Sequence, residues 1–413
     1  MFDLSRRNVL LGASAIAGAG LVGCSEQQHP VPKINGVTAP KFELCRTAFE
    51  GNFAIGYDVG SALCVTHNDE VVVDLWAGWM DAAKTKPWQE DSIVNVFSST
   101  KTMTALCALL LADRGELSFD DPVSKFWPEF AANGKADVKV AHLLSHTAGL
   151  PTWDDQIDVE VLYDWEQATS LLANQTPMWE PGTASGYHAI TQGFLVGEVV
   201  RRVSGQSLGT FFARELAEPM GADFHIGTPA EADGRTADML AAEPQPIMDF
   251  FFSFIQSDLM KRVLGNPAIE MSDVNGGGWR RAEIPAANGH GSARGAAQIQ
   301  SLVSHGGAFQ GKTILSEAGA RAALKEQIDG TDLVLGLPLR HGTGYGLQMG
   351  PLPSPNPSTC FWYGAGGSMV MNDLENRLTI TFVMNQMLPG LTMTQRTDNI
   401  IEAVYGSLGQ SVT

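Results

Sequence analysis

Ser98-Ser99-Thr100-Lys101 stands at the head of an apolar run, Met103-Thr104-Ala105-Leu106-Cys107-Ala108-Leu109-Leu110-Leu111-Ala112. An α-helix turns once in about 3.6 residues, so Ser98 and Lys101, three positions apart, share a face. Ser99 falls on another face. The spacing selects Ser98 as a nucleophile with Lys101 as its base. A serine hydroxyl attacks only when a neighbour takes its proton, and lysine can do so once burial or nearby cations lower its pKa. The bland reading of the same residues is a helix-terminal serine above a solvated lysine. The surroundings weigh against it. The run after Lys101 is apolar almost all round, which predicts a centrally buried helix from Thr102 to Arg114, ended by Gly115. At the N-terminus of that helix, the dipole and free N–H groups favour developing negative charge.

Composition narrows the function classes. The chain has 413 residues, 44% of them hydrophobic, enough for a large core in one or two domains. A net charge of -18 argues against a nucleic-acid partner, which needs a basic surface. The N-terminus reads as an export segment. Ser5-Arg6-Arg7-Asn8-Val9-Leu10 is a twin-arginine signature. The small-residue apolar run to Gly23 is too short to span a bilayer. Leu21-Val22-Gly23-Cys24 is similar to a lipobox, which implies a lipid on Cys24, a membrane anchor and a periplasmic or cell-envelope location. The alternative is an ordinary signal peptide with an incidental cysteine. Residues 1–23 are then the signal and 24–40 a tether. Four cysteines remain, Cys45, Cys64, Cys107 and Cys360, a number that permits disulfides in an exported protein. Cys107 lies within the apolar helix and reads as core. No C-x-x-C occurs, so zinc and redox motifs are unsupported, and neither metal nor cofactor is expected.

The rest of the chain organises around two ends. Phe42 to Asn52 reads as an amphipathic helix. Ser61–His67 and Glu70–Gly78 flank Asn68-Asp69 as a hairpin. Helices are expected over Thr191–Val203, Thr210–Ala217, Met248–Val263, Ala293–Ser304, Ser316–Ile328 and Met393–Tyr405, with a flexible turn at Gly276-Gly277-Gly278. Strands are expected over Ser368–Met371 and Arg377–Met384. Strands at both ends with helices between imply an α/β fold of the α+β type. Its antiparallel sheet is flanked by helices and assembled from residues 41–119 and 285–413. A mostly helical lobe covers 120–284, and the cleft lies between the two.

These pieces carry a family resemblance. Ser98-x-x-Lys101 is followed by Gly115-Glu116-Leu117-Ser118-Phe119-Asp120-Asp121-Pro122-Val123, by Leu143-Leu144-Ser145-His146-Thr147-Ala148-Gly149-Leu150-Pro151, by Pro181-Gly182-Thr183 before Tyr187, and by Gly364-Ala365-Gly366-Gly367-Ser368. In this order and spacing they resemble the serine β-lactamase and penicillin-binding-protein superfamily over roughly residues 42–408, most closely its class C-like (family VIII-type) esterase branch. The resemblance implies a β-lactamase/DD-peptidase-like fold. It also implies that Lys101 and Tyr187 share the general-base work on Ser98, and that Tyr187, its phenol pKa lowered by neighbouring donors, passes a proton to the leaving alkoxide. The oxyanion hole would be the backbone N–H groups of Ser98 and Ala365. The third motif falls on Trp362-Tyr363-Gly364, and His290 falls in a stretch that lines the cleft in this branch.

Two departures point away from antibiotics. Ala189 stands where a polar residue would bind a lactam's side-chain amide, and Trp362 where a cation or histidine would read a carboxylate. An apolar, uncharged ester is the implied small-molecule substrate, with Trp362, Tyr363, Gly364 and His290 as contacts. Phe251, within Phe250-Phe251-Phe252-Ser253-Phe254, reads either as apolar wall or lid, or as core. Two motifs compete. Gly205-Gln206-Ser207-Leu208-Gly209 matches a nucleophile elbow but follows a helix where that motif needs a strand, so Ser207 reads as a helix cap. His142 and His146 are four apart, but no third ligand accompanies them, and His146 reads as a partner of the turn at 147–150. The expected function is a serine carboxylesterase working through an acyl-enzyme on Ser98. A β-lactamase or D-alanyl-D-alanine carboxypeptidase is the alternative, followed by an acyltransferase or a non-catalytic binding protein. Oligomeric state is not legible.

Overall fold

The computed structural model describes residues 29–242, 257–349, 354–390 and 394–412. The export segment with Cys24, and Phe251 with its aromatic neighbours, lie outside them. The strands in chain order are β1 Asn35–Thr38, β2 Gly60–His67, β3 Glu70–Gly78, β4 Val94–Asn95, β5 Phe224–His225, β6 His290–Gly291, β7 Ala308–Phe309, β8 Lys312–Thr313, β9 Ile328–Thr331, β10 Pro338–His341, β11 Gly346–Leu347, β12 Thr359–Tyr363, β13 Met369–Asp373 and β14 Leu378–Met384.

The main sheet is antiparallel in the order β1-β3-β2-β14-β13-β12-β11-β10-β9. Its centre joins the two ends of the chain, with β2 and β14 paired from Ser61↔Met384 to His67↔Leu378. Asn68 and Asp69 turn the β2–β3 hairpin with φ of 49° and 71°. Two positive φ values are what a type I′ turn needs, and Asn and Asp tolerate them. Successive residues of a strand face opposite sides. Phe382 packs on Phe49 of the Glu43–Ala54 helix, while Thr381 Oγ1 donates to the Ala293 carbonyl of the Ala293–Ser304 helix. The sheet is thus covered on both faces, and the Gln395–Ser407 helix packs beside Glu43–Ala54.

The helix of the opening motif runs Thr100–Asp113, and every side chain from Thr100 to Leu111 is buried. Burial of Leu106, Leu109, Leu110 and Leu111 contributes about 1.5–3 kcal/mol each. The four described cysteines are buried and unpaired, and burial raises the pKa of each thiol.

Some local expectations need correction. The helix expected over Ser316–Ile328 is short, Glu317–Arg321 with one further turn to Leu324, because the chain then leaves to pair Ile328 with His341. Gly277–Arg281 is a helix rather than a flexible turn, with Gly276 at its N-cap. The stretch after Thr210 is helical but begins at Leu208 and passes through a wider turn at Ala213–Ala217.

Candidate active site

The start of the Thr100–Asp113 helix is shaped by a strained residue. Phe97 has φ of 43°, in the left-handed region that bulky side chains avoid. Three bonds hold it there. Asn95 Oδ1 accepts the Phe97 N–H at 3.2 Å, Asn95 Nδ2 donates to the Ala287 carbonyl at 3.1 Å, and Thr100 Oγ1 donates to the Phe97 carbonyl at 2.6 Å. The kink leaves Ser98 half-buried at the head of the helix. Ser99 points elsewhere and bonds Ser368 Oγ at 3.0 Å.

Ser98 Oγ has two polar neighbours, the Tyr187 hydroxyl at 2.5 Å and Lys101 Nζ at 3.2 Å. Lys101 Nζ also donates to the Ala189 carbonyl at 2.7 Å and the Ala286 carbonyl at 3.0 Å. The amine lies 4.9 Å from the Tyr187 ring centre. No described carboxylate pairs with it, and burial holds its pKa well below the usual lysine range. A neutral amine has two N–H donors and one lone pair. Here Nζ donates to the two carbonyls and to Ser98 Oγ, and the last is the contact through which a lone pair would take the Ser98 proton. Ala189 thus enters the site through its backbone.

Tyr187 departs from expectation. Burial pushes its phenol up to about 12, against the opposing effect of hydrogen bonding to Ser98 and Trp362. The expected lowering is therefore corrected: the phenol is a proton holder at neutral pH. Its backbone is pinned by Asp332, whose Oδ1 accepts from the N–H groups of Tyr187, Val334 and Leu335 at 2.9–3.0 Å. Asp332 went unread in the sequence. Its spacing to Val334 and Leu335 is an Asx-turn signal.

Gly364 follows β12 and packs against the nucleophile's own turn. A Cβ there would lie 2.2 Å from the Val96 carbonyl and from Ser368 Oγ, so only glycine permits this approach. Gly364-Ala365-Gly366-Gly367 form a turn closed by the Gly367 N–H on the Gly364 carbonyl at 3.0 Å, with Gly366 at φ 81°. That positive φ at the third position marks a type II turn. Neither the Ser98 nor the Ala365 N–H has an acceptor among the described residues. Both donors are therefore unengaged among the described residues, one on the nucleophile itself and one in the turn that follows Gly364, which packs on Val96.

Trp362 stacks on His146 with ring centres 5.4 Å apart and lies 5.9 Å from Tyr187. A mostly apolar pocket opens there, lined by Tyr187, Leu335, Leu339, Met349, Phe361 and Trp362, with Arg340 and His341 also on its wall. Tyr363 borders it as well. A larger polar cavity near Glu90, Asp91, Asp223 and Arg294 includes none of these groups.

Other sequence candidates lie apart. His290 is 1% exposed, on the middle strand of β4-β6-β5, and its Nδ1 bonds the Asn288 carbonyl at 2.8 Å. Pairing on both sides removes it from the cleft, so the expected substrate contact is corrected to a packing role. Ser207 Oγ caps the Leu208–Phe212 helix and donates to Glu283 Oε1 at 2.6 Å. Gly205, at φ 71°, ends the preceding helix. His142 and His146 do not share a helix face, because the helix stops at Leu144 and His146 sits at φ 61°. His146 Nδ1 accepts from the His188 N–H at 3.1 Å. His188 Nε2, not His146, bonds the turn, through the Leu150 N–H at 3.0 Å. No group of three or more His, Cys, Asp or Glu side chains among the described residues could hold a metal ion.

A serine-lysine-tyrosine constellation on a sheet with a helical insertion is the geometry of one family, and the Beta-lactamase family model matches residues 52–405. The chain belongs to the β-lactamase family. Within that family it is 33% identical over 381 residues to the Esterase/beta-lactamase LipL of Mycobacterium tuberculosis (strain ATCC 25618 / H37Rv), covering 88% of this chain and 85% of that one. The solved structure of a family VIII carboxylesterase superposes with a TM-score of 0.86 at 39% identity, covering 91% of this chain and all of that one. A penicillin-binding protein homolog from Caulobacter crescentus superposes with a TM-score of 0.84 at 35% identity, over 91% of this chain and all of that one. This β-lactamase-family chain is a serine hydrolase.

Proposed function

We propose that the protein cleaves carboxylic esters through an acyl-enzyme on Ser98. One observation carries the reading: a buried Lys101 Nζ, with no carboxylate partner among the described residues, and the Tyr187 hydroxyl both bond the Ser98 oxygen. Neutral Lys101 takes the Ser98 proton as Oγ bonds to the ester carbonyl carbon. The Ser98 and Ala365 N–H groups hold the oxyanion. When the tetrahedral intermediate collapses, the C–O bond to the alcohol breaks. Tyr187 gives its proton to the departing alkoxide and is reprotonated from the Lys101 ammonium. Water then attacks the acyl-enzyme, losing a proton to the same pair, and Ser98 leaves with its proton restored. A phenol held near 12 suits the donor role, because it is protonated when the alkoxide forms.

The apolar pocket beside Trp362 and the methyl side chain of Ala189 favour an uncharged ester over a lactam bearing amide and carboxylate groups. Steady-state rates on p-nitrophenyl esters and on a chromogenic cephalosporin separate the two. Ester turnover should exceed cephalosporin turnover and vanish in Ser98→Ala. Fast cephalosporin turnover with weak esterase activity would assign the chain to the lactam side of the family.

Export by the twin-arginine route and lipidation of Cys24 belong to the same proposal and rest on the N-terminal motif alone. Radiolabelled palmitate should enter the wild type and not Cys24→Ala. Equal labelling of both would refute the anchor.

A further inference from the structure

The Gly364–Gly367 turn is gripped from the far side of the sheet. Arg396, in the first turn of the Gln395–Ser407 helix, is fully buried, and its guanidinium donates to the Gly366 carbonyl. The second terminal nitrogen, Nη1, donates to Asp58 Oδ1 at 2.7 Å, the Tyr57 carbonyl at 3.0 Å and the Gln386 carbonyl at 3.0 Å, while Nε has no hydrogen-bond partner among the described residues. Asp58 is equally buried from solvent in its side chain, and its second oxygen accepts from Ser61 Oγ at 2.9 Å. The Leu388 N–H shares the Gly366 carbonyl at 3.0 Å. A Cβ on Gly367 would lie 2.5 Å from Arg396 Nη2, so the turn is built around the guanidinium.

A buried ion pair is a poor way to gain stability, since desolvation offsets its attraction. Its placement one residue beyond Ala365 fits another task. Ala365 occupies the second position of the turn, and its N–H takes no part in the closing bond. The direction of that N–H follows the orientation of the turn. Gly364 fixes one end through Ser368 and Val96, and the Gly366 carbonyl fixes the other.

We propose that Arg396, locked by Asp58, is the positioning residue of the oxyanion hole: it holds the Gly366 carbonyl and thereby aims the Ala365 N–H at the substrate oxygen. The inference rests on the esterase reading above. Arg396 touches no substrate and acts through the turn. Loosening it should harm transition-state binding more than substrate binding.

The test is a double-mutant cycle between Arg396 and Ala365, measured as kcat and KM on a p-nitrophenyl ester and as Ki for an alkyl boronic acid, which takes a tetrahedral form on serine. Proline is favoured at the second position of a type II turn, so Ala365→Pro deletes the donor while sparing the turn. Its kcat should fall about 10²–10³-fold, the usual cost of one oxyanion donor. Arg396→Met should lower kcat by roughly 10–100-fold, the scale of a misplaced catalytic group. KM should stay within about threefold, and boronate affinity should weaken in step with kcat. In the Ala365→Pro background Arg396→Met should add little. Arg396→Lys, which keeps the buried cation but not the fork, should fall between the two and covers the case in which Arg396→Met does not fold. Fully additive losses, or unchanged boronate affinity in a folded Arg396 variant, would overturn the positioning role. Wild-type kcat in Ala365→Pro would instead refute the oxyanion assignment beneath it.

Discussion

Lys101 Nζ and Ser98 Oγ lie 3.2 Å apart, and the amine is buried without a described carboxylate partner. Most buried lysines are paired with an acid. This one faces two carbonyls and a hydroxyl, and burial lowers its pKa.

Stability should therefore depend on pH through Lys101. Its folded pKa is depressed by burial from the ordinary 10.5. The unfolded chain binds more protons between those two values, so stability from this group rises with pH across that window. The penalty is absent above about the normal lysine pKa and reaches its full size below the folded one. Lys101→Met should thus melt above the wild type at neutral pH, with the gap closing toward pH 11, while activity falls by about 10²–10⁴-fold. Melting temperature against pH for both proteins checks this. A gap that widens with pH would have the wrong sign.

Trp362 should tune the phenol. Trp362→Phe keeps an aromatic wall and removes the indole N–H that opposes the burial-driven rise at Tyr187. The loss in kcat should be about 2–10-fold, the scale of one hydrogen bond. Stopped-flow or steady-state rates on one ester suffice, and a loss as large as that of Tyr187→Phe would mean that Trp362 has a direct chemical role.

Asp332 should matter for geometry rather than charge. Asp332→Ala strands three buried N–H groups, including that of Tyr187. It should lower both the melting temperature and kcat. Asp332→Asn retains an accepting oxygen and should recover most of each. Equal damage in both variants would point to the carboxylate charge.

Ser207 should affect stability alone. Ser207→Ala removes a helix cap and the bond to Glu283, at a cost of about 0.5–2 kcal/mol for the cap. Denaturant midpoints should shift, and kcat per folded molecule should not. Lost turnover in a folded Ser207→Ala would reopen the elbow reading.

The legible parts of this chain were those with local grammar. Helical spacing joins Ser98 to Lys101, Asn68-Asp69 announces the hairpin, and Gly205 and Ser207 mark a stop and a cap. Tyr187, Ala365 and Trp362 were reached through family resemblance, because nothing near them in sequence reveals that Tyr187 bonds Ser98, that Trp362 lies beside Tyr187, or that the turn of Ala365 follows a glycine packed on Val96. Asp332, Asn95 and Arg396 each also reach a residue that approaches only after folding, namely Tyr187, Ala287 and Asp58; Arg396 lies 338 positions from Asp58. β9, β10 and β11 escaped because they are short, carry Gly330 and Gly346, and begin in one case at Pro338, all weak strand signals. His290 was misjudged for a related reason: a strand flanked on both sides buries what a loop would expose.

The most direct test of the account is acid-quench trapping of the enzyme during ester turnover, followed by peptide mass analysis. The account predicts one acyl group per chain, on Ser98, accumulating before the steady state and absent in Ser98→Ala. An acyl group on Ser207 or another residue, or undiminished ester turnover in Ser98→Ala, would contradict it.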